Sequence, residues 1–164
     1  MAFERLLWSC LDHGTSISEE GLALSVPRQA DETVLLFRTD TKAFRAAFFP
    51  GENQHISCDA LFFYKYGERP PVLVFVELKG ANLPHALAQL TETIKAVKPS
   101  LPAHAELRAL VVTDGAGPTT RMAHQKRFEA DVRVNLHIEP TVRGKKPMDL
   151  RAVLRKHAPE FVGP

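Results

Sequence analysis

Three charged residues stand where charge is costly. Asp59 precedes the apolar run Ala60-Leu61-Phe62-Phe63-Tyr64, and Glu77 and Lys79 close the apolar run Val72-Leu73-Val74-Phe75-Val76. Between the runs, Gly67-Glu68-Arg69-Pro70-Pro71 predicts a turn. The two runs therefore predict a hairpin, with the start of one strand beside the end of the other. Side chains two apart on a strand share a face, so Glu77 and Lys79 point the same way. Asp59 joins them if it stands opposite residue 77 or 79, and the turn permits either register and a bulge besides. Charges in such a place are expensive unless paired or bound to a metal. Two carboxylates with a backbone carbonyl form a hard oxygen site of the kind Mg2+ or Mn2+ uses. A neighbouring ammonium can orient or deprotonate a water, or offset charge developing on phosphate oxygens. That is water-activating chemistry aimed at a phosphodiester. The same spacing also allows a structural Asp–Lys–Glu ion-pair cluster.

The segment that follows adds polar groups. Leu83, Leu87, Leu90, Ile94 and Val97 form one stripe of a helix predicted over residues 83–97, with Asn82 and Pro84 suited to its first turn. His85, Gln89 and Glu92 lie on its polar flank, where Gln89 can reach back over Lys79 or simply face solvent. Asp59, an interval of about 18 residues, Glu77-x-Lys79 and a helix carrying Gln89 together resemble the PD-(D/E)xK nuclease superfamily. The resemblance covers roughly residues 57–97. It implies a restriction-endonuclease-like fold and a divalent-metal-dependent phosphodiesterase. Asp59, Glu77 and the Leu78 carbonyl would hold Mg2+ or Mn2+, Lys79 would be the catalytic lysine, and Gln89 would fix water or substrate phosphate. Many members add a carboxylate from the first helix, and Glu4 is the candidate here. Two departures stand out: Cys58 takes a position often held by proline, and Thr93 takes one where the RecB-type branch has tyrosine.

Elements must position these groups. Phe3, Leu6, Leu7 and Leu11 predict a helix over residues 2–12, ended near Gly14. Val34 to Phe37 predicts a strand, and Ala43 to Phe49 a second one stopped by Pro50-Gly51. Val72 to Val76 is apolar on both faces, the mark of a central strand covered on both sides. Leu107 to Val112 predicts a strand, and a helix capped by Thr119 or Thr120 runs through Phe128. Alternation from Val132 to Ile138 predicts a half-exposed strand, and residues 148–157 a closing basic helix. This order predicts one domain over residues 1–164, α/β in class, a three-layer α/β/α arrangement around a mixed sheet.

Charge is unevenly spread. The chain has 164 residues and a net charge of +2. Residues 1–120 carry 11 Lys and Arg against 14 Asp and Glu, whereas residues 121–164 carry 10 against 5. The basic surplus is either a solvated helix or a path for nucleic acid, DNA ahead of RNA, along Arg121, Lys126, Arg127, Lys145 and Lys146. Arg133, Arg143, Arg151, Arg155 and Lys156 belong to the same set. A homodimer would suit so small a domain. The alternative is a catalytically inactive nucleic-acid-binding module, or a partner subunit, with the same fold. Two cysteines without a CxxC pair exclude a four-thiolate zinc site and read as free buried thiols. The seven histidines form no HExxH. The N-terminus lacks signal-peptide character and no apolar run reaches a membrane span, so a cytoplasmic protein is expected.

Overall fold

A computed structural model describes residues 2–51, 56–114, 118–141 and 146–157. The central sheet has six strands: β1 (Leu11–Asp12), β4 (Glu32–Arg38), β5 (Ala60–Tyr66), β6 (Val72–Leu78), β7 (Glu106–Thr113) and β8 (Asn135–Pro140), adjacent in that order. β1, β4, β5 and β6 pair antiparallel; β6, β7 and β8 pair parallel. A second sheet joins β2 (Ser16–Glu19), β3 (Leu22–Ser25) and β9 (Met148–Asp149).

The mixed sheet matches expectation, but the layering is different. One face carries α1 (Ala2–Ser9), α2 (Lys42–Phe48), α3 (Leu83–Val97) and α4 (Pro118–Val132), with Leu6, Phe44, Leu90 and Phe128 packed on Leu61, Leu73 and Phe75. The opposite face carries the small sheet and α5 (Leu150–His157). There Leu22, Leu24, Leu150 and Leu154 cover Phe62, Val74, Val76 and Val112. The third layer is thus a hairpin-based sheet with a single helix, not a helical layer. The two faces follow the period-two alternation of β5 and β6. Every residue of β6 is buried, as the apolar run requires of a central strand.

Several local expectations change: α4 begins at Pro118, so Thr119 and Thr120 lie inside it instead of capping it, and residues 148 and 149 form β9 instead of opening the closing helix. Residues 43–49 form helix α2 instead of a strand. Thr41 Oγ1 accepts from Phe44 N at 3.1 Å, which starts the helix, and Phe44 stacks on Phe48 one turn later with ring centroids 4.7 Å apart. Ala43, Ala46 and Ala47 favour that outcome. The first helix stops at Ser9, because Leu11 and Asp12 pair with Phe37 and Leu36 as an edge strand. Asp12 then turns the chain by accepting from Gly14 N at 2.7 Å. Val132 ends α4 and Arg133 reverses the chain at φ 51°, so β8 begins only at Asn135. The helix at 83–97 agrees at both ends, with Asn82 accepting from His85 N. Among the described residues, no helix is long and apolar enough to cross a membrane.

Candidate active site

The site forms where β6 ends. The ladder ends at the Ala60–Val76 pair, and Asp59 N turns back to the Val76 carbonyl, which leaves Asp59 beside Glu77 but outside the regular register. Asp59 Oδ2 takes the Leu78 N–H at 2.7 Å, beyond the last paired residues. The carboxylate therefore replaces a ladder bond and is held near the plane of the sheet.

The backbone leading to Asp59 is clamped from two sides. Cys58 N donates to Thr93 Oγ1 at 2.8 Å, and Gln89 Nε2 donates to Ser57 O at 2.9 Å, both from α3. On the other side Thr39 Oγ1 donates to Cys58 O, and Thr39 N donates to Asp59 O at 3.3 Å. Asp59 N itself donates to Val76 O at 3.1 Å. Gln89 thus fixes the segment before Asp59 instead of reaching over Lys79. Thr93, the departure from the RecB-type pattern, is buried and works as an acceptor for that same segment.

A further carboxylate comes from an element that the residue pattern did not reveal. The β2–β3 hairpin turns on Glu20 and Gly21, at φ 50° and 80°, the positive-φ pair of a two-residue type I′ turn. It delivers Glu19 against the Asp59 carboxyl and Glu20 against Gly80 N at 3.3 Å and Lys79 Nζ at 3.8 Å. The signal was present as alternation, Ile17 and Glu19 before the turn, Leu22 and Leu24 after it. The expected third carboxylate, Glu4, is exposed on α1 and does not line the cleft beside Asp59. That cleft has a volume of about 130 Å³ and is lined by Glu19, Arg38, Asp40, Thr41, Asp59 and Leu78. At about 30 Å³ per water it has room for about four waters.

Electrostatics inside the cluster are strained. Glu77 is 1 % exposed, and its Oε2 has no hydrogen-bond partner among the described residues. Burial, then the charges on Asp59 and Glu19, push the Glu77 carboxyl up to about 9, against the pull of Lys79. Burial and the Glu19 carboxyl push Asp59 up to about 8, against the Leu78 N–H. Acidic groups gathered without a sufficient counter-cation retain protons, and a divalent cation would release them. Among the described residues, no group of three or more His, Cys, Asp or Glu side chains is arranged to hold a metal ion. The donor set fits the leaner mode of Mg2+, in which one or two carboxylates bind and waters complete the octahedron.

Cys58 lies beside the cluster, but burial pushes its thiol up to about 12, which makes it an inert packing group. Both cysteines are free and buried.

The basic tail is only partly available. Arg151 is buried and ion-paired with Glu32 at 3.4 Å and Asp149 at 3.3 Å, so it ties α5 to β4. Lys156 pairs with Glu139 at 3.1 Å. Lys126 and Arg127 are exposed on α4, and Arg121 is half-buried there. Arg127 lines a groove of about 330 Å³ between α3 and α4 together with Glu92 and Asp131, a groove that Asp59, Glu77 and Glu19 do not line. Lys146 is exposed, in the connection after β8, which ends at the same edge of the sheet as parallel β6. Lys145 and Arg143 lie outside the described residues.

These features define an α/β domain with a cluster of acidic residues and one lysine at the carboxyl end of its central strand. Compared with known proteins, the chain matches no family model, no curated protein and no solved structure.

Proposed function

We propose that this chain is a divalent-metal-dependent nuclease of the PD-(D/E)xK type, with a restriction-endonuclease-like core, hydrolysing phosphodiester bonds in DNA ahead of RNA. The observation that carries the reading is the convergence of the Asp59 and Glu77 carboxyl groups at the end of the hairpin, the buried Oε2 of Glu77 lacking a partner among the described residues. A structural ion-pair cluster would have satisfied that oxygen.

Asp59, Glu77 and the Leu78 carbonyl would hold Mg2+ or Mn2+. The bound ion would supply an activated water and screen charge on the phosphate. The protein's own groups do the rest. The clamp of Thr39, Gln89 and Thr93 fixes the Asp59 backbone, so the carboxylate is preorganised. Lys79, 3.8 Å from Glu20, stands at the strand end where negative charge would grow on the reacting phosphate. Glu19 lines the cleft beside the Asp59 carboxyl. Lys146 and Arg121 would meet the phosphate backbone.

The test is cleavage of labelled single- and double-stranded DNA and RNA in Mg2+, in Mn2+ and in EDTA. Metal-dependent cutting that Glu77→Ala abolishes is expected. Cutting by Glu77→Ala at the wild-type level would overturn the assignment. A second reading has its own support: Gln89 and Lys79 are both engaged in internal contacts, as in a binding module that has lost catalysis. Nucleic-acid binding without cleavage in either metal selects that reading.

A further inference from the structure

Trp8 is the only tryptophan in the chain and is 89 % exposed, on the last turn of α1. An indole left in water forgoes the burial that normally places tryptophan in a core or an interface. Its neighbour Ser9 lines a shallow cleft of about 400 Å³, with Leu11, His13, Arg38 and Thr41 among the lining residues. Arg38 and Thr41 also line the carboxylate cleft, so the two clefts adjoin across them. Arg38 is fixed at their boundary by Asp12 at 2.9 Å and the Ser16 carbonyl at 3.3 Å.

The rim of this surface is basic. Arg28 is exposed and tied to His13 O at 3.2 Å, and Arg45 is tied to Thr41 O at 3.3 Å. Lys42 is exposed beside them at the start of α2. A protein partner would call for an apolar surround to the indole. Arg38 and Arg45 are paired with Asp12 and Asp40, and the exposed Glu4 stands one turn before Trp8, but the exposed Arg5, Arg28 and Lys42 leave the surround with a cationic excess, which complements phosphates. Cations along a groove with one exposed aromatic plane are the parts that hold an unpaired nucleotide.

We propose that the nucleic-acid path enters along α1, β1 and the start of α2, and that Trp8 stacks on an unpaired base of a single-stranded segment. Arg28, Arg38 and Lys42 hold its phosphates and lead the strand to the carboxylate cleft. This deepens the nuclease reading and rests on it for the direction of the strand. It also moves the main binding surface from the C-terminal basic residues to the N-terminal side.

The lone tryptophan supplies its own signal. The full chain, in EDTA so that nothing is cut, is titrated with a labelled single-stranded DNA oligonucleotide. Binding is read by anisotropy and stacking by tryptophan fluorescence. The expected result is strong quenching, weaker binding of an abasic strand with the same phosphates, and weaker binding of a blunt duplex. Trp8→Ala should lose about tenfold or more in affinity, whereas Trp8→Phe retains most of it. Arg28→Glu should weaken all strands and flatten the salt dependence. Unchanged fluorescence at saturation, equal affinity for the abasic strand, or no strand binding overturns the proposal. So does sedimentation showing that Trp8→Ala converts a dimer to a monomer, since the indole would then be a subunit contact. Because Trp8 is exposed, an unaltered melting temperature certifies the variants. Quenching without cleavage in either Mg2+ or Mn2+ would refute the nuclease reading alone. Cleavage without quenching would refute the Trp8 assignment alone.

Discussion

Glu77 and Asp59 each occupy a place where a proton is easier to hold than a charge. With pKa values raised to about 9 and about 8, the folded metal-free protein keeps protons that the unfolded chain releases near pH 4. The associated stability is complete below about pH 4 and is lost as pH rises through the folded values. The melting temperature of the metal-free protein should therefore fall as pH rises from about 5 to about 9. Glu77→Gln should flatten that slope in thermal scans across pH. Mg2+ should raise the melting temperature more at pH 9 than at pH 6, because at the lower pH it must displace protons. A second residue-scale prediction concerns Thr93. Thr93→Val leaves the buried Cys58 N–H without its acceptor and should cost about 1–3 kcal/mol in urea unfolding, while Thr93→Ser should cost much less. Cleavage should fall with Thr93→Val, since Asp59 hangs on the same segment. Asp59, Glu77 and Lys79 were legible because charge next to an apolar run is conspicuous. The work of Gln89 and Thr93 was not, because a polar helix residue reads alike whether it meets water, phosphate or a distant carbonyl.

At the scale of elements, the β2–β3 hairpin controls the acidic cluster. Its turn puts Glu20 and Gly21 at positive φ, which glycine tolerates and a β-branched residue does not. Gly21→Val should cost on the order of 1–2 kcal/mol in stability and a larger share of metal-dependent activity, because Glu19 and Glu20 move with the turn. Isothermal titration with Mn2+ beside a melting curve separates the two losses. An equal loss in both would make the hairpin a mere cover for the core. The β5–β6 pair and α3 were readable from long apolar runs and a full stripe. The hairpin, β1 and α2 are short, and short elements take their form from partners. Phe44 needs α2 to reach Phe48 and Phe49, and Leu11 needs Phe37 as its pair. No local pattern announces those partners.

Across the whole molecule, charge serves two purposes that composition alone merges. Arg151 is inside, bridging Glu32 and Asp149, with the Tyr64 hydroxyl donating to the same Glu32 at 2.7 Å. Arg151→Ala strands a buried carboxylate and should cost about 3–5 kcal/mol, enough to threaten folding. Lys126→Ala, on the exposed side of α4, should stay within about 0.5 kcal/mol. Chemical denaturation of the two variants side by side checks this. The charge surplus after residue 120 was visible in the sequence, but its meaning was not, since an arginine in an ion pair and one facing water are written alike.

The small sheet joins Leu24 to Met148 and Ser25 to Asp149, strands from opposite ends of the chain. Such a contact closes a long loop and belongs among the slow steps of folding. Until β9 and α5 are synthesised, the hairpin bearing Glu19 has its own pairing and its packing on Phe62, Val74 and Val76, but lacks the third strand and the helix that complete that face of the molecule. A nascent chain thus carries Asp59, Glu77 and Glu19 before the layer over them is closed. On the proposed reading, the last strand to pair is the one that finishes the support beneath the acidic cluster.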